Sequence, residues 1–153
     1  MKRIVLYCLI LAAALLAPVK GNDVGRLCPV QVVLLGTDGQ NVYLQTDTQD
    51  VGVGEDALRA LENLKATTAG IIYLDTARYL LVEEQALDQV EPLRKELKKT
   101  VKLCLAEGAV LGEDTASFLK THGCLPSLKA WEKGMELPLL TTFEKRLIFS
   151  KKS

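Results

Sequence analysis

His122 and Cys124 are the residues whose types and spacing most directly suggest chemistry. His122 is the only histidine in the chain, and a cysteine two positions away could serve as a nucleophile or a metal ligand. A catalytic pair needs the imidazole within hydrogen-bonding distance of the sulfur, and residues two apart in a turn seldom face each other. A structural zinc site needs four ligands, and the cysteine spacing that marks one is absent from the sequence. We therefore predict no catalytic residue and no metal site here.

Three pairs of adjacent carboxylates are the other residues that acid–base chemistry could use. Neighbouring side chains on a helix point about 100° apart, so the members of a pair do not aim at one substrate atom. The sequence also has no glycine-rich phosphate loop and no nucleophile elbow. We therefore predict that the protein is not an enzyme and needs no cofactor. The pairs are Glu55/Asp56, Glu83/Glu84 and Glu113/Asp114.

A run of basic residues between positions 94 and 102 is the most unusual charged feature. On a helix these residues would form one basic stripe, which could dock an acidic protein, a sulfated polysaccharide or an anionic membrane surface. The alternative is a solvated face that keeps the helix soluble. No aromatic residue interrupts the stripe, so base stacking is unsupported and we predict no nucleic-acid partner. The stripe consists of Arg94, Lys95, Lys98, Lys99 and Lys102.

Four aromatic residues could form the wall of a cavity for a small apolar ligand. Ligand pockets are mostly lined by apolar and aromatic side chains, with a few polar groups that fix orientation. The alternative is that they are ordinary core residues whose polar ends find partners at its edge. The four are Tyr43, Tyr73, Tyr79 and Trp131.

The first 21 residues have the layout of a secretory signal peptide. Lys2 and Arg3 precede an apolar run at 4–17, which is shorter than the roughly 20 residues of a membrane span. Cleavage after Gly21 would leave residues 22–153 as a single helix-rich globular domain, slightly acidic overall; cleavage after Ala17 is the alternative. We therefore predict a secreted, extracellular protein with no membrane span.

Three cysteines remain after that cleavage, in an oxidising compartment where pairing is expected. A bond between Cys28 and Cys104 would tie the N-terminal segment to the centre of the chain, and both stand in apolar surroundings. Cys124 could instead pair with Cys104, or join two chains into a disulfide-linked homodimer.

The elements that must position these residues are predicted to be mostly helical. Apolar residues from Tyr79 to Cys104 recur at steps of three and four, which indicates a long helix over Leu74–Glu107, bent or restarted at Pro92. Asp38-Gly39 between two apolar runs predicts a β-hairpin. Further helices are predicted after Glu55-Asp56, before His122, after Pro126 and at the C-terminus. The predicted fold class is therefore α+β and predominantly helical: one domain, with a short N-terminal hairpin packed on four to five helices.

These features favour a secreted, non-enzymatic binding protein that engages an extracellular protein partner or a small apolar ligand. A soluble signalling ligand with a basic helix face is the first alternative, since the predicted helices resemble the helical cytokines in outline. The hairpin departs from that family. The remaining alternative is a small secreted enzyme that uses Cys124 and His122.

Overall fold

A computed structural model describes residues 24–108, 111–112, 114–123, 125–143 and 146–150. These residues form nine β-strands and three α-helices, with 35% of residues in strands and 29% in helices. The prediction of a predominantly helical domain, with a short hairpin packed on four to five helices, is therefore wrong. The centre of the fold is a mixed sheet of seven strands.

The strands are β1 (Leu27–Pro29), β2 (Val32–Asp38), β3 (Asn41–Thr46), β4 (Val51–Gly54), β5 (Ile71–Tyr73), β6 (Tyr79–Val82), β7 (Lys102–Glu107), β8 (Leu139–Phe143) and β9 (Arg146–Ser150). The α-helices are α1 (Ala57–Thr67), α2 (Val90–Leu93) and α3 (Thr115–His122). Short 3-10 helices cover Val24–Arg26, Leu74–Thr76 and Glu84–Gln89.

The large sheet has a parallel centre and antiparallel ends. Its strand order is β4-β3-β2-β6-β7-β8-β9, in which β2, β6, β7 and β8 run parallel. At one end β3 and β4 continue antiparallel from β2, and at the other β9 folds back on β8. β1 and β5 form a separate parallel pair.

The central strands are apolar on both faces because both faces are covered. All four residues of β6 are buried, as are the four residues 103–106 of β7. Continuous apolar runs of this kind are typical of parallel strands with helices on either side. The first core cluster contains Leu64 of α1, Leu93 of α2 and Leu103. The second, on the other face, contains Cys104 and Leu119 of α3.

The long central helix predicted over Leu74–Glu107 does not exist. Tyr79 and Val82 lie in β6, and Cys104 lies in β7. The apolar residues that suggested the helix are nevertheless all buried: Tyr79, Val82, Ala86, Val90, Leu93, Leu97, Val101 and Cys104. Between those strands the chain forms a 3-10 helix and α2, with Pro92 in the first turn of α2, where its missing N–H costs no hydrogen bond. Burial was predicted correctly for these residues, and the secondary structure was not.

Three predictions based on local turn and capping residues are confirmed. The hairpin is confirmed as β2–β3, with Asp38 paired to Asn41 across the turn. The helix after Glu55-Asp56 is confirmed as α1, where Oδ1 of Asp56 accepts from the backbone N–H of Arg59 at 2.8 Å. The helix before His122 is confirmed as α3. The predicted C-terminal helix is wrong, because β8 and β9 occupy that segment, and turns replace the helix predicted after Pro126.

Candidate functional site

The predicted basic stripe is broken up by the fold. Arg94 caps the end of α2, and the chain then passes through turns to Lys102, the first residue of β7. Arg94 and Lys99 line one pocket together. Lys95, Lys98 and Lys102 are exposed and do not line it.

A distant segment completes this basic pocket, which is lined by Arg94, Lys99, Leu128 and Lys129. The backbone N–H of Lys129 donates to the carbonyl of Lys99 at 3.0 Å, and that of Leu128 donates to the carbonyl of Val101 at 2.6 Å. These two bonds hold Lys129 beside Lys99. The sequence alone does not indicate Lys129, because no local pattern links it to a residue 30 positions earlier.

Contacts with Trp131 hold the side chain of Arg94 in the lining of the pocket. Its Nη2 donates to the backbone carbonyl of Trp131 at 2.6 Å, and its guanidinium carbon lies 5.2 Å from the centroid of the Trp131 ring. Its Nε lies 3.0 Å from Oε2 of Glu91, yet that buried nitrogen makes no hydrogen bond to any described residue. The indole face and the carbonyl therefore orient the guanidinium before any ligand arrives, and a preorganised cation loses less entropy on binding.

The two lysines of the basic pocket have no acidic partner among the described residues. Both are exposed, and no acidic side chain in the described ranges lies within 4.0 Å of either ammonium group. Lys65 and Lys133, in contrast, are paired: Lys65 lies 3.3 Å from Glu96, and Lys133 lies 2.6 Å from Asp88. Clustered cations without counter-charges raise the local concentration of anions.

The size of the basic pocket limits what it can take. Its volume is about 230 Å³, and it opens to solvent. Pockets for drug-sized molecules occupy roughly 300–1,000 Å³. This recess therefore suits one anionic group and the unit that carries it, such as a sulfate on a sugar or a carboxylate of a peptide.

The aromatic wall predicted for an apolar ligand is not assembled. Tyr43 and Tyr79 pack with the second core cluster, whereas Trp131 belongs to the first, on the other face of the sheet. Tyr73 on β5 is 40% exposed. The four rings therefore do not line one cavity.

An apolar recess does lie between α1, α2 and the sheet. Its lining includes Leu44, Leu64 and Leu93, and its volume is about 10 Å³. That is about the space of a single water molecule. It cannot hold a small apolar ligand without rearrangement of the core.

Within the described residues, Cys28 and Cys104 are not bonded to each other. Cys104 faces the second core cluster, whereas Cys28 packs against the first, so the large sheet separates the two sulfurs. Burial raises the pKa of the Cys104 thiol to about 12. Cys124, the alternative partner, lies outside the described residues.

His122 is the last residue of α3, and its side chain contacts Phe118 of the same helix. Its Nδ1 lies 3.1 Å from the carbonyl oxygen of Phe118, and the two rings stack with centroids 4.5 Å apart. Within the described ranges, no group of three or more His, Cys, Asp or Glu side chains is placed to hold a metal ion. Of the carboxylate pairs, Asp56 caps α1 and Glu83 binds Tyr43, while Glu113 lies outside the described residues.

The bond between Tyr43 and Glu83 is a polar contact that the sequence did not suggest. The Tyr43 phenol donates to Oε1 of Glu83 at 2.6 Å, and the backbone N–H of Thr37 donates to Oε2 at 3.0 Å. Burial, followed by the bond to Glu83 and its negative charge, raises the pKa of Tyr43. Both oxygens of this carboxylate are therefore already engaged.

The fold and the pocket together define a class of protein: a mixed α/β domain with a basic surface recess beside its central parallel strands. No protein-family model, no curated protein and no solved structure matches the chain. In the part of the chain that the structure describes, no helix is long and apolar enough to cross a membrane.

Proposed function

We propose that this is a non-enzymatic binding protein that engages an anionic partner through the basic pocket of Arg94, Lys99, Leu128 and Lys129. The observation that carries the proposal is the convergence of three cations on one recess. Two of them have no acidic partner within 4.0 Å among the described residues. An incoming sulfate or carboxylate would supply the missing counter-charge.

The three cations differ in how firmly they are held, and this combination suits the binding of an anion. Arg94, held against Trp131, presents a planar donor group of fixed orientation. Lys99 and Lys129 add exposed charges to the lining, where each ionic contact contributes about 0.2–1 kcal/mol. Binding of one group would therefore be weak, and useful affinity needs a partner with several charges.

The geometry favours a charged partner over a small apolar one. The apolar recess has a volume of about 10 Å³, whereas the basic pocket has about 230 Å³ and opens to solvent. An acidic extracellular protein or a sulfated polysaccharide fits the basic pocket.

We also place this activity outside the cytoplasm. The support is the sequence of residues 1–21, with two basic residues followed by a short apolar run, which is typical of a secretory leader. Mass measurement of the protein recovered from the culture medium of its native host would test this, and a start at Met1 in a cytosolic fraction would contradict it.

Elution from a heparin column, used as a model polyanion, tests the site. Lys99→Gln/Lys129→Gln removes two charges from the pocket, and Arg26→Gln/Arg59→Gln removes two exposed charges that do not line it. We expect the first variant to elute at clearly lower salt and the second to elute close to the wild type. Equal shifts for both variants would show that only net charge matters and would end the proposal.

A further inference from the structure

A second basic pocket lies on the opposite side of the sheet. It has a volume of about 260 Å³ and opens to solvent. Arg78 and Lys120 supply its charge, and Gln31 and Ser117 supply neutral polar groups. Tyr79 and Ala116 complete the lining. All four polar residues are exposed.

The two pockets share one edge of the sheet. Gln31, Arg78 and Lys99 stand just before the amino ends of the parallel strands β2, β6 and β7. The N–H of Arg78 donates to the carbonyl of Gln31 at 2.9 Å, and the N–H of Lys102 donates to the carbonyl of Arg78 at 2.8 Å. Backbone hydrogen bonds therefore connect Gln31 and Arg78 of the second pocket to Lys102.

The backbone of Lys102 lies between the segments that carry the two pockets. Lys102 is exposed at the start of β7, and its backbone also pairs with Ser127, two residues before Lys129. Adjacent strands are about 4.8 Å apart. Arg78, Lys102 and Lys129 thus follow one another across neighbouring segments, and Lys102 supplies a cation between the recesses.

We propose that the two pockets and Lys102 form one extended site for a sulfated polysaccharide, which crosses the amino-end edge of the sheet. This inference rests on the proposed function of the first pocket. Each recess, at about 230 and 260 Å³, takes one charged unit, and a linear chain connects them.

The positions of the two pockets favour a flexible linear polyanion over a flat anionic membrane. Leu128 beside the first pocket belongs to one core cluster and Tyr79 beside the second belongs to the other, so the pockets open toward opposite faces of the sheet. A flexible linear chain can pass over that edge, whereas a flat membrane meets one side. The seven large exposed hydrophobic residues among those described do not line either pocket, which removes the apolar contact that membrane insertion uses.

The neutral groups of the second pocket favour a glycan over other chains. The Gln31 amide and the Ser117 hydroxyl can donate to and accept from sugar hydroxyl groups. Tyr79 and Trp131 are both buried, so their rings are not available for base stacking. Asp47 also contacts this edge of the sheet: its carboxylate accepts from the N–H of Gln31 at 3.1 and 3.2 Å, and it does not line the pocket.

Heparin fragments of increasing length, bound to the full protein and measured by calorimetry, test this site. We expect wild-type affinity to rise with length until one chain reaches both pockets. Arg78→Gln/Lys120→Gln should leave the first pocket to bind short fragments, so their affinity falls at most about twofold, but should bind long fragments about three- to tenfold more weakly. Its slope of log affinity against log salt should fall by roughly one for each ion pair that the substitutions remove. Lys99→Gln/Lys129→Gln should weaken binding at every length.

The outcomes separate the two proposals. If Arg78→Gln/Lys120→Gln retains the full length dependence, the extended site is overturned, while the first pocket stands provided that Lys99→Gln/Lys129→Gln weakens short fragments. If no fragment depends on Lys99 and Lys129, the proposed function fails as well. Polyglutamate, or vesicles of phosphatidylserine and phosphatidylcholine, binding as tightly as long heparin would overturn the assignment to sulfated glycans. Circular dichroism and thermal unfolding confirm the fold of each variant, and all four mutated residues are exposed.

Discussion

The phenol of Tyr43 donates a 2.6 Å hydrogen bond to Oε1 of Glu83 and thereby ties strand β3 to the residue that follows β6. The second carboxylate oxygen accepts from the backbone N–H of Thr37 at 3.0 Å. Gly36 makes this arrangement sterically feasible, because a Cβ at that position would collide with the phenol and the carboxylate. One side chain at the carboxyl end of β6 therefore binds both strands of the β2–β3 hairpin.

We expect Tyr43→Phe to lower the free energy of unfolding by about 1 kcal/mol, because it removes a hydrogen bond to a carboxylate in a half-buried setting. Urea unfolding measures the difference. Tyr73→Phe is the matched control, since Tyr73 is 40% exposed and should change stability little. Equal effects of the two substitutions would show that the bond to Glu83 contributes nothing specific.

Burial of the Tyr43 phenol, together with its bond to Glu83, predicts a loss of stability in alkali. The pKa of Tyr43 is raised above its ordinary value of 10.0 in the folded protein, so the unfolded chain loses this proton first as the pH rises. The stabilisation by Tyr43 is complete below pH 10 and declines above it, because the folded state then holds more protons than the unfolded state. Urea unfolding at about pH 9 and about pH 11 should show the difference between wild type and Tyr43→Phe narrowing. A constant difference would contradict this.

At Gly52, α1 packs directly on the backbone of β4. A Cβ at this position would collide with the backbone of Ala60 and Leu64, neither of which can move without shifting the helix. We expect Gly52→Ala to destabilise the protein by about 1–3 kcal/mol. Gly112→Ala is the control, because no atom of the described residues, apart from its chain neighbours, lies within 4 Å of a Cβ there. Thermal unfolding compares the two, and a fully stable Gly52→Ala protein would show that α1 does not approach β4 this closely.

The two described cysteines should differ in reactivity. Cys104 is buried, and its pKa of about 12 against the ordinary 9.0 leaves about 1,000-fold less thiolate. We expect iodoacetamide to label Cys28, which is partly exposed, well before Cys104, and both to react after denaturation. Peptide mass mapping under non-reducing conditions reads out each thiol. A Cys28–Cys104 disulfide in that map would contradict the placement of the two sulfurs in separate core clusters.

The elements with local signals were predictable from the sequence. Asp38-Gly39 marks the β2–β3 turn, where Gly39 adopts a φ of 63° that suits glycine. Asp56 marks the start of α1 because its carboxylate satisfies an N–H of the first turn. Such signals depend on residues a few positions apart, so they survive whatever the rest of the chain does.

The strands β6 and β7 were missed because their partners are distant in the chain. Residues 79–82 read Tyr-Leu-Leu-Val, a short apolar run that fits either a buried strand or part of a helix. Buried residues from Tyr79 to Cys104 are spaced three or four apart, as on one face of a helix. The match is a coincidence, because these residues lie in strands, turns and short helices that are each buried by different contacts.

The candidate site was predictable in part. The sequence pointed to Arg94 and Lys99 as members of a basic cluster, and the fold places both on one pocket. It gave no sign of Lys129, Arg78 or Lys120, which reach the two pockets through backbone pairing and through the packing of α3.

By itself the sequence determined which side chains are apolar enough to be buried, where the chain turns, and where cationic charge is dense. Only the tertiary structure decided that the centre is a sheet, that Cys28 and Cys104 lie on opposite sides of it, and which cations converge. The reason is physical. Burial and capping depend on a residue and its near neighbours, whereas strand pairing depends on hydrogen bonds between segments far apart in the chain, and those bonds set the direction of every side chain.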